Sequence, residues 1–120
     1  MQARPLALMV LIATAIATAA APVAAADLAA AQKNFSQFCA SCHGENGHTE
    51  AFAASRLPSK QRDFSNCAAM KGFSDETLFK AIKEGGAAVG MSSAMPPGKD
   101  LFQDNEVKDL VSYVRSFCKR

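Results

Sequence analysis

The stretch "FCASCHGENG", residues 38–47, sets two cysteines three positions apart and a histidine directly after the second. The whole chain of 120 residues holds only four cysteines and two histidines, so this cluster concentrates most of its soft-ligand chemistry. A Cys-x-x-Cys pair by itself fits a thiol–disulfide switch, half of a zinc site, or coincidence. The cellular compartment separates these readings, and the N-terminus states the compartment.

Arg4 is the one charge ahead of the apolar run "LALMVLIATAIATAAA", which ends at Pro22. "VAAAD" follows, with small residues at Ala24 and Ala26 before Asp27. A basic start, an apolar middle and an A-x-A site predict a secretory signal peptide over residues 1–26, cleaved after Ala26. The competing reading is an uncleaved anchor. The run approaches the ~18 residues a span needs, but it is alanine-rich and stops at a good cleavage site. Residues 27–120 then form one small exported domain, placed in the periplasm. Its charges nearly cancel, because the whole chain carries +2 and cleavage removes Arg4. That balance argues against nucleic acid or an anionic membrane as the main partner. A domain this small buries only about 60–70% of its unfolded surface, so an added source of core is welcome.

Cys39-Ala40-Ser41-Cys42-His43 is C-x-x-C-H, the pattern of covalent c-type haem attachment. Two thiols on one helical turn can each add to a haem vinyl group, leaving the histidine to ligate the iron from the proximal side. A thioredoxin-like switch would follow a strand in a βαβ unit, and none precedes this motif. A zinc site would need a second pair at ligand spacing, whereas Cys67 and Cys118 stand far apart.

With "CASCHG" (39–44), "MPP" (95–97) and the terminal "VKDLVSYVRSFC" (107–118), the chain resembles the small bacterial class I cytochromes c across the whole region after residue 26. The resemblance implies an all-α fold, the cytochrome c fold, with three to five helices wrapped around one covalent haem and methionine as distal ligand. It also implies that Pro58, in "SRLPSK", supplies the carbonyl that orients His43. Gly98 and Lys99 follow Pro97, where the family usually places an aromatic residue.

The residues support that fold independently. Asp27 is a plausible N-cap for a helix through "LAAAQKNFSQFCASC", with Leu28, Ala31, Phe35 and Phe38 near one face. "FSDETLFKAIKEGG" (73–86) has Ser74 as cap, Phe73 and Leu78 as a hydrophobic staple, and Gly85-Gly86 as its stop. A last helix starting near Gln103–Asn105 sets Val107, Leu110, Val111, Val114 and Phe117 at helical spacing. No period-two strand pattern survives.

Candidates for the distal iron position are Met70, Met91, Met95 and His48. Met95 is favoured because Pro96-Pro97 stiffen the segment after it and keep it out of a helix. Met70 reads as core filling and His48 lies too close to His43 in sequence. Cys67 and Cys118 are expected to form a disulfide in an oxidising compartment, worth roughly 4 kcal/mol by the loop-entropy relation. With haem c and its iron closed by His43 and Met95, the expected function is one-electron transport by a monomer that is not an enzyme. Its partners would be a redox donor and acceptor, including an oxidase or reductase of a membrane complex. The alternatives are a sensor or peroxidase-like enzyme with an open distal site, or a cytochrome subunit of a larger membrane complex.

Overall fold

The computed structural model describes residues 20–22 and 24–119. Most of the expected signal peptide lies outside the described residues. Ala24 and Ala26 are exposed and outside any helix, leading into Asp27. Among the described residues no helix is long and apolar enough to cross a membrane, and no strand occurs.

Three longer helices make the frame: α1 (Leu28–Phe38), α5 (Asp75–Glu84) and α6 (Asp104–Ser116). Single-turn helices α2 (Ala40–His43), α3 (Ala51–Ala54) and α4 (Cys67–Met70) lie between the first two. The fold is all-α, as the sequence implied. Each long helix begins on a side chain that satisfies otherwise unpaired N–H groups. Asp27 accepts from the Ala30 N–H at 3.0 Å and Ser74 from the Thr77 N–H at 3.1 Å. At α6 the Gln103 N–H donates to Glu106 Oε2 at 2.8 Å, and the helix starts within the expected Gln103–Asn105.

The helix expected to run unbroken through Cys42 is divided at Cys39. The Cys39 N–H closes the last turn of α1 on Phe35 O at 2.8 Å, and the Cys42 N–H then bonds Cys39 O at 3.1 Å in a tighter turn. The α1 face is also narrower than its spacing suggested. Ala31 and Phe35 are 1% exposed, whereas Leu28 is 45% and Phe38 51% exposed. Phe38 rests edge-on against Phe102 at 5.5 Å between ring centres.

The core is the α1–α6 contact filled with aromatic rings. Phe35 meets Tyr113 and Phe117 at 5.3 Å each, and Phe64 reaches the same cluster from a loop. Val107, Leu110, Val111, Val114 and Phe117 are all buried, as their spacing predicted. Met70 is 2% exposed and fills the core. Phe73 and Leu78, the expected staple residues, each pack against this cluster.

Arg115 locks α6 to the chain between α4 and α5. Its guanidinium donates to Asp75 Oδ1 at 2.8 Å, to Met70 O at 2.9 Å and to Phe73 O. Replacing it with Met keeps the aliphatic stem but removes this donor from both carbonyls, leaving Met70 O with only the Phe73 N–H. Arg115→Met is therefore expected to destabilise the fold by about 1–3 kcal/mol in urea unfolding. An unchanged midpoint would show that water satisfies those carbonyls equally well.

Candidate functional site

The C-x-x-C-H segment folds as one helical turn. The Cys42 and His43 N–H groups both bond Cys39 O, at 3.1 and 2.9 Å, which places the Cys39 and Cys42 side chains on neighbouring positions of one face. Thr49 Oγ1 donates to Cys42 O at 2.5 Å and holds the turn's end. Burial, with a smaller contribution from Cys42, pushes the Cys39 thiol up to about 11. A redox-switch cysteine needs its pKa lowered to generate thiolate. Cys39 has the opposite setting, which disfavours the thiol–disulfide reading.

His43 lies flat against Phe64, ring centres 4.7 Å apart and planes 19° from parallel. Phe64 is in turn stacked on Phe117 at 6.3 Å, so the imidazole is backed by the aromatic core. Burial lowers the His43 pKa and keeps the ring in the neutral form that ligates metal. The Arg62 backbone acts in the opposite sense, yet Nδ1 is buried with no partner meeting hydrogen-bond geometry.

The polar backbone group beside His43 is thus at Arg62 and not at Pro58. Pro58 is exposed and makes no hydrogen bond to the ring. The reason is local: the chain is drawn in at Phe64, whose N–H bonds Gly47 O at 2.8 Å, and Arg62 is close enough to follow it. Asp63 fixes the same bend. Its carboxylate accepts from Ser65 Oγ at 2.5 Å and pairs with His48 Nδ1 at 3.0 Å. His48 is accordingly half-exposed and occupied with Asp63.

Next to His43 opens a cavity of about 380 Å³, within the ~300–1,000 Å³ typical of small-molecule sites. His43 and Phe64 line it together with Phe73, Leu78, Ala81 and Ile82, and Met91 and Met95 join them from the loop after α5. The structure therefore brings His43 and Met95 to one cavity, and Met91 with them. They differ in burial: Met91 is 38% exposed and Met95 is half-buried. Both are tied to Gly86: its N–H donates to Met95 O at 3.0 Å, and its carbonyl accepts from the Met91 N–H at 2.9 Å.

That tie explains Gly85-Gly86 beyond stopping a helix. A Cβ on Gly86 would lie 2.2 Å from Ser92 O, and one on Gly85, whose φ is +86°, 3.0 Å from Met95 O. The two glycines let the methionine loop lie directly on the end of α5. Two in succession, where one suffices to end a helix, were the signal in the sequence. Phe64 and Arg62 gave no such signal.

The arrangement fits a flat, largely apolar group that accepts nitrogen and sulfur ligands. The donor set is borderline-to-soft, with imidazole from His43, thioethers from the methionine loop and two thiols on the adjoining turn. The family described as cytochrome C oxidase, cbb3-type, subunit III, matches residues 26–114. The chain belongs to the c-type cytochromes.

This cytochrome is similar in structure to the c-type cytochrome KustC0563, with 30% identity and a TM-score of 0.58 over 72% of this chain and 95% of that one. A point mutant of KustC0563 gives 32% identity and a TM-score of 0.57, over 72% and 96% of the two chains. No curated protein matches. Family membership carries covalently bound haem c with its iron, and haem-based electron transfer between redox partners.

Asp63 gives the cytochrome one defined acid sensitivity. The Ser65 hydroxyl, and after it His48, holds the Asp63 carboxyl below the usual carboxylate range in spite of some desolvation. A lowered folded-state pKa stabilises above the unfolded value of about 3.9 and is lost as pH falls below it. Asp63→Asn should lower the urea midpoint at pH 7, with the gap from wild type narrowing below about pH 4. A gap that does not narrow would assign the effect to something other than the ionised carboxylate.

Proposed function

We propose that this cytochrome is an exported one-electron carrier whose haem is held by Cys39 and Cys42 and closed by His43 and Met95. The supporting observation is that His43 and Met95, far apart in sequence, line one largely apolar cavity beside the C-x-x-C turn. Haem c, when bound, supplies the redox chemistry by cycling its iron between ferric and ferrous states. Cys39 and Cys42 would each add an S–H across a vinyl C=C, which forms a thioether with no leaving group. His43 is kept neutral and oriented by Phe64, and the Met95 loop is anchored on Gly86 before any ligand binds. Pre-ordering both residues limits the rearrangement between oxidation states. It also excludes water and small oxidants from the iron, which separates a carrier from an enzyme or sensor.

The signal peptide over residues 1–26, export to the periplasm and the disulfide belong to the same proposal. Cys67 and Cys118 have Cα atoms 5.4 Å apart, inside the ~4.4–6.8 Å that a bridge needs. The bridge would clamp the chain ends of Phe64 and Phe117 and so support the stack behind His43. A second reading, a cytochrome subunit of a membrane oxidase, is favoured by the description of the matching family. Co-purification of the native protein with a membrane complex would support it. A freely soluble monomer would favour the carrier.

The distal ligand decides between closed and open sites. In wild type the ferric protein should show the weak far-red sulfur-to-iron band and no cyanide or peroxide binding at low concentration. Met95→Ala should abolish the band, lower the potential and admit those ligands, whereas Met91→Ala should change little. The reverse pattern would move the ligand to Met91, and peroxide binding by wild type would favour the enzyme or sensor. For the bridge, denatured, unreduced protein should show no alkylatable thiol at Cys67 or Cys118. Full labelling of both would remove it.

A further inference from the structure

Three methionines follow residue 26, and they stand in three different settings. Met70 is 2% exposed in the core, Met95 is half-buried, and Met91 is 38% exposed. Met91 nevertheless lines the cavity, as does Gly90 before it. Gly90 is itself exposed, and a Cβ there would meet nothing within 4 Å, so the cavity wall is bare backbone at this point. Of the three methionines, Met91 alone both lines the cavity and is exposed.

The loop from Met91 to Met95 closes on a single residue at the end of α5. Gly86 O accepts from the Met91 N–H at 2.9 Å, and the Gly86 N–H donates to Met95 O at 3.0 Å. The Met95 N–H bonds Ser92 O at 3.3 Å within the same loop, and a Cβ on Gly86 would lie 2.2 Å from Ser92 O. With so little slack, a displacement of Met91 is carried to Met95. Phe73, Leu78, Ala81 and Ile82 make much of the cavity wall apolar. A polar group formed at Met91 is therefore driven toward water.

We propose that Met91 is a site of reversible oxidation by hydroperoxides, and that its sulfoxide loosens the Met95 loop. The sulfur lone pair attacks one peroxide oxygen, the O–O bond breaks, and the proton on that oxygen passes to the departing one. Sulfur is oxidised by two electrons, the peroxide is reduced by two, and water or an alcohol leaves. The proposal rests on the reading above, in which Met95 and not Met91 is the iron's ligand, so losing the Met91 thioether alone costs little. The added oxygen is what acts. It changes a flexible apolar side chain into a polar one that no longer suits an apolar wall. Met91 then turns outward, its N–H draws on Gly86 O, and Met95 loses its anchor. Hydroperoxide thus converts a closed carrier into one with a lower potential and an accessible iron.

The test treats ferric holoprotein with limiting hydrogen peroxide and locates the added oxygen by peptide mass mapping, a readout independent of the haem. Oxygen is expected first at Met91, with Met70 and Met95 unmodified. In the same sample the reduction potential should fall and cyanide should bind. Methionine sulfoxide reductases should reverse all three changes. Met91→Leu, a swap that nearly conserves volume, should keep its potential and exclude cyanide through the same treatment. Met91→Gln sets an amide oxygen near the place of the sulfoxide oxygen, and should show the lower potential and cyanide binding with no peroxide added. Oxygen appearing first at Met95, or a Met91 sulfoxide with unchanged potential, would overturn the proposal. So would Met91→Gln behaving as Met91→Leu does. The far-red band of untreated Met91→Leu separates this proposal from the reading beneath it. If that band is lost, Met95 is not the ligand and both fail; if it persists, the outcomes above judge the oxidation alone.

Discussion

The stack of His43 on Phe64 is the contact on which the rest of the molecule converges. An imidazole that is to ligate iron must be neutral, fixed in rotation and sheltered from water. Phe64 meets all three needs by covering one face of the ring, and it can do so because Phe117 and Phe35 cover Phe64. The α1–α6 interface is thus a structural core and also the support of the proposed ligand, His43. Cluster and ligand are coupled in sequence as well: α1 carries Phe35 and runs directly into the turn that carries Cys39, Cys42 and His43.

The opposite requirement governs the methionine loop. A loop has no ladder of hydrogen bonds to place it, so it must borrow rigidity from a neighbour. Here the neighbour is the end of α5. Gly86 bonds Met95 O, while Gly98 and Lys99 bond the carbonyls of Ile82 and Lys83 at 2.8 and 3.0 Å. Side chains at Gly85 and Gly86 would occupy the space the loop needs. The expectation from Pro96-Pro97 named only the prolines, whereas this docking also ties the loop to α5.

Much of the fold was legible because its signals are local. Capping residues Asp27 and Ser74 and the spacing in α6 each act within a few positions, and all appear as expected. The C-x-x-C-H turn was legible for the same reason. What could not be read depends on tertiary contacts. Phe64 sits in "RDFSN", which reads as a polar loop, and its bond to Gly47 O and its contacts with Phe35 and Phe117 hold it behind His43. Pro58 was the expected orienting residue because it resembles the family's proline in that role, yet the chain's bend brings the Arg62 backbone to the ring. Leu28 and Phe38 share the helical face of Phe35 but lie beyond the width of the surface α6 covers.

The central claim is that one methionine of this chain, Met95, faces the iron that His43 ligates. Proton–carbon NMR of the ferrous protein, with methionine methyl groups labelled, tests it most directly. The ring current of haem shifts a methyl held against the iron far upfield of all others. The account predicts a single such resonance, lost in Met95→Leu and kept in Met91→Leu. No upfield methyl, or one lost only in Met91→Leu, would contradict it.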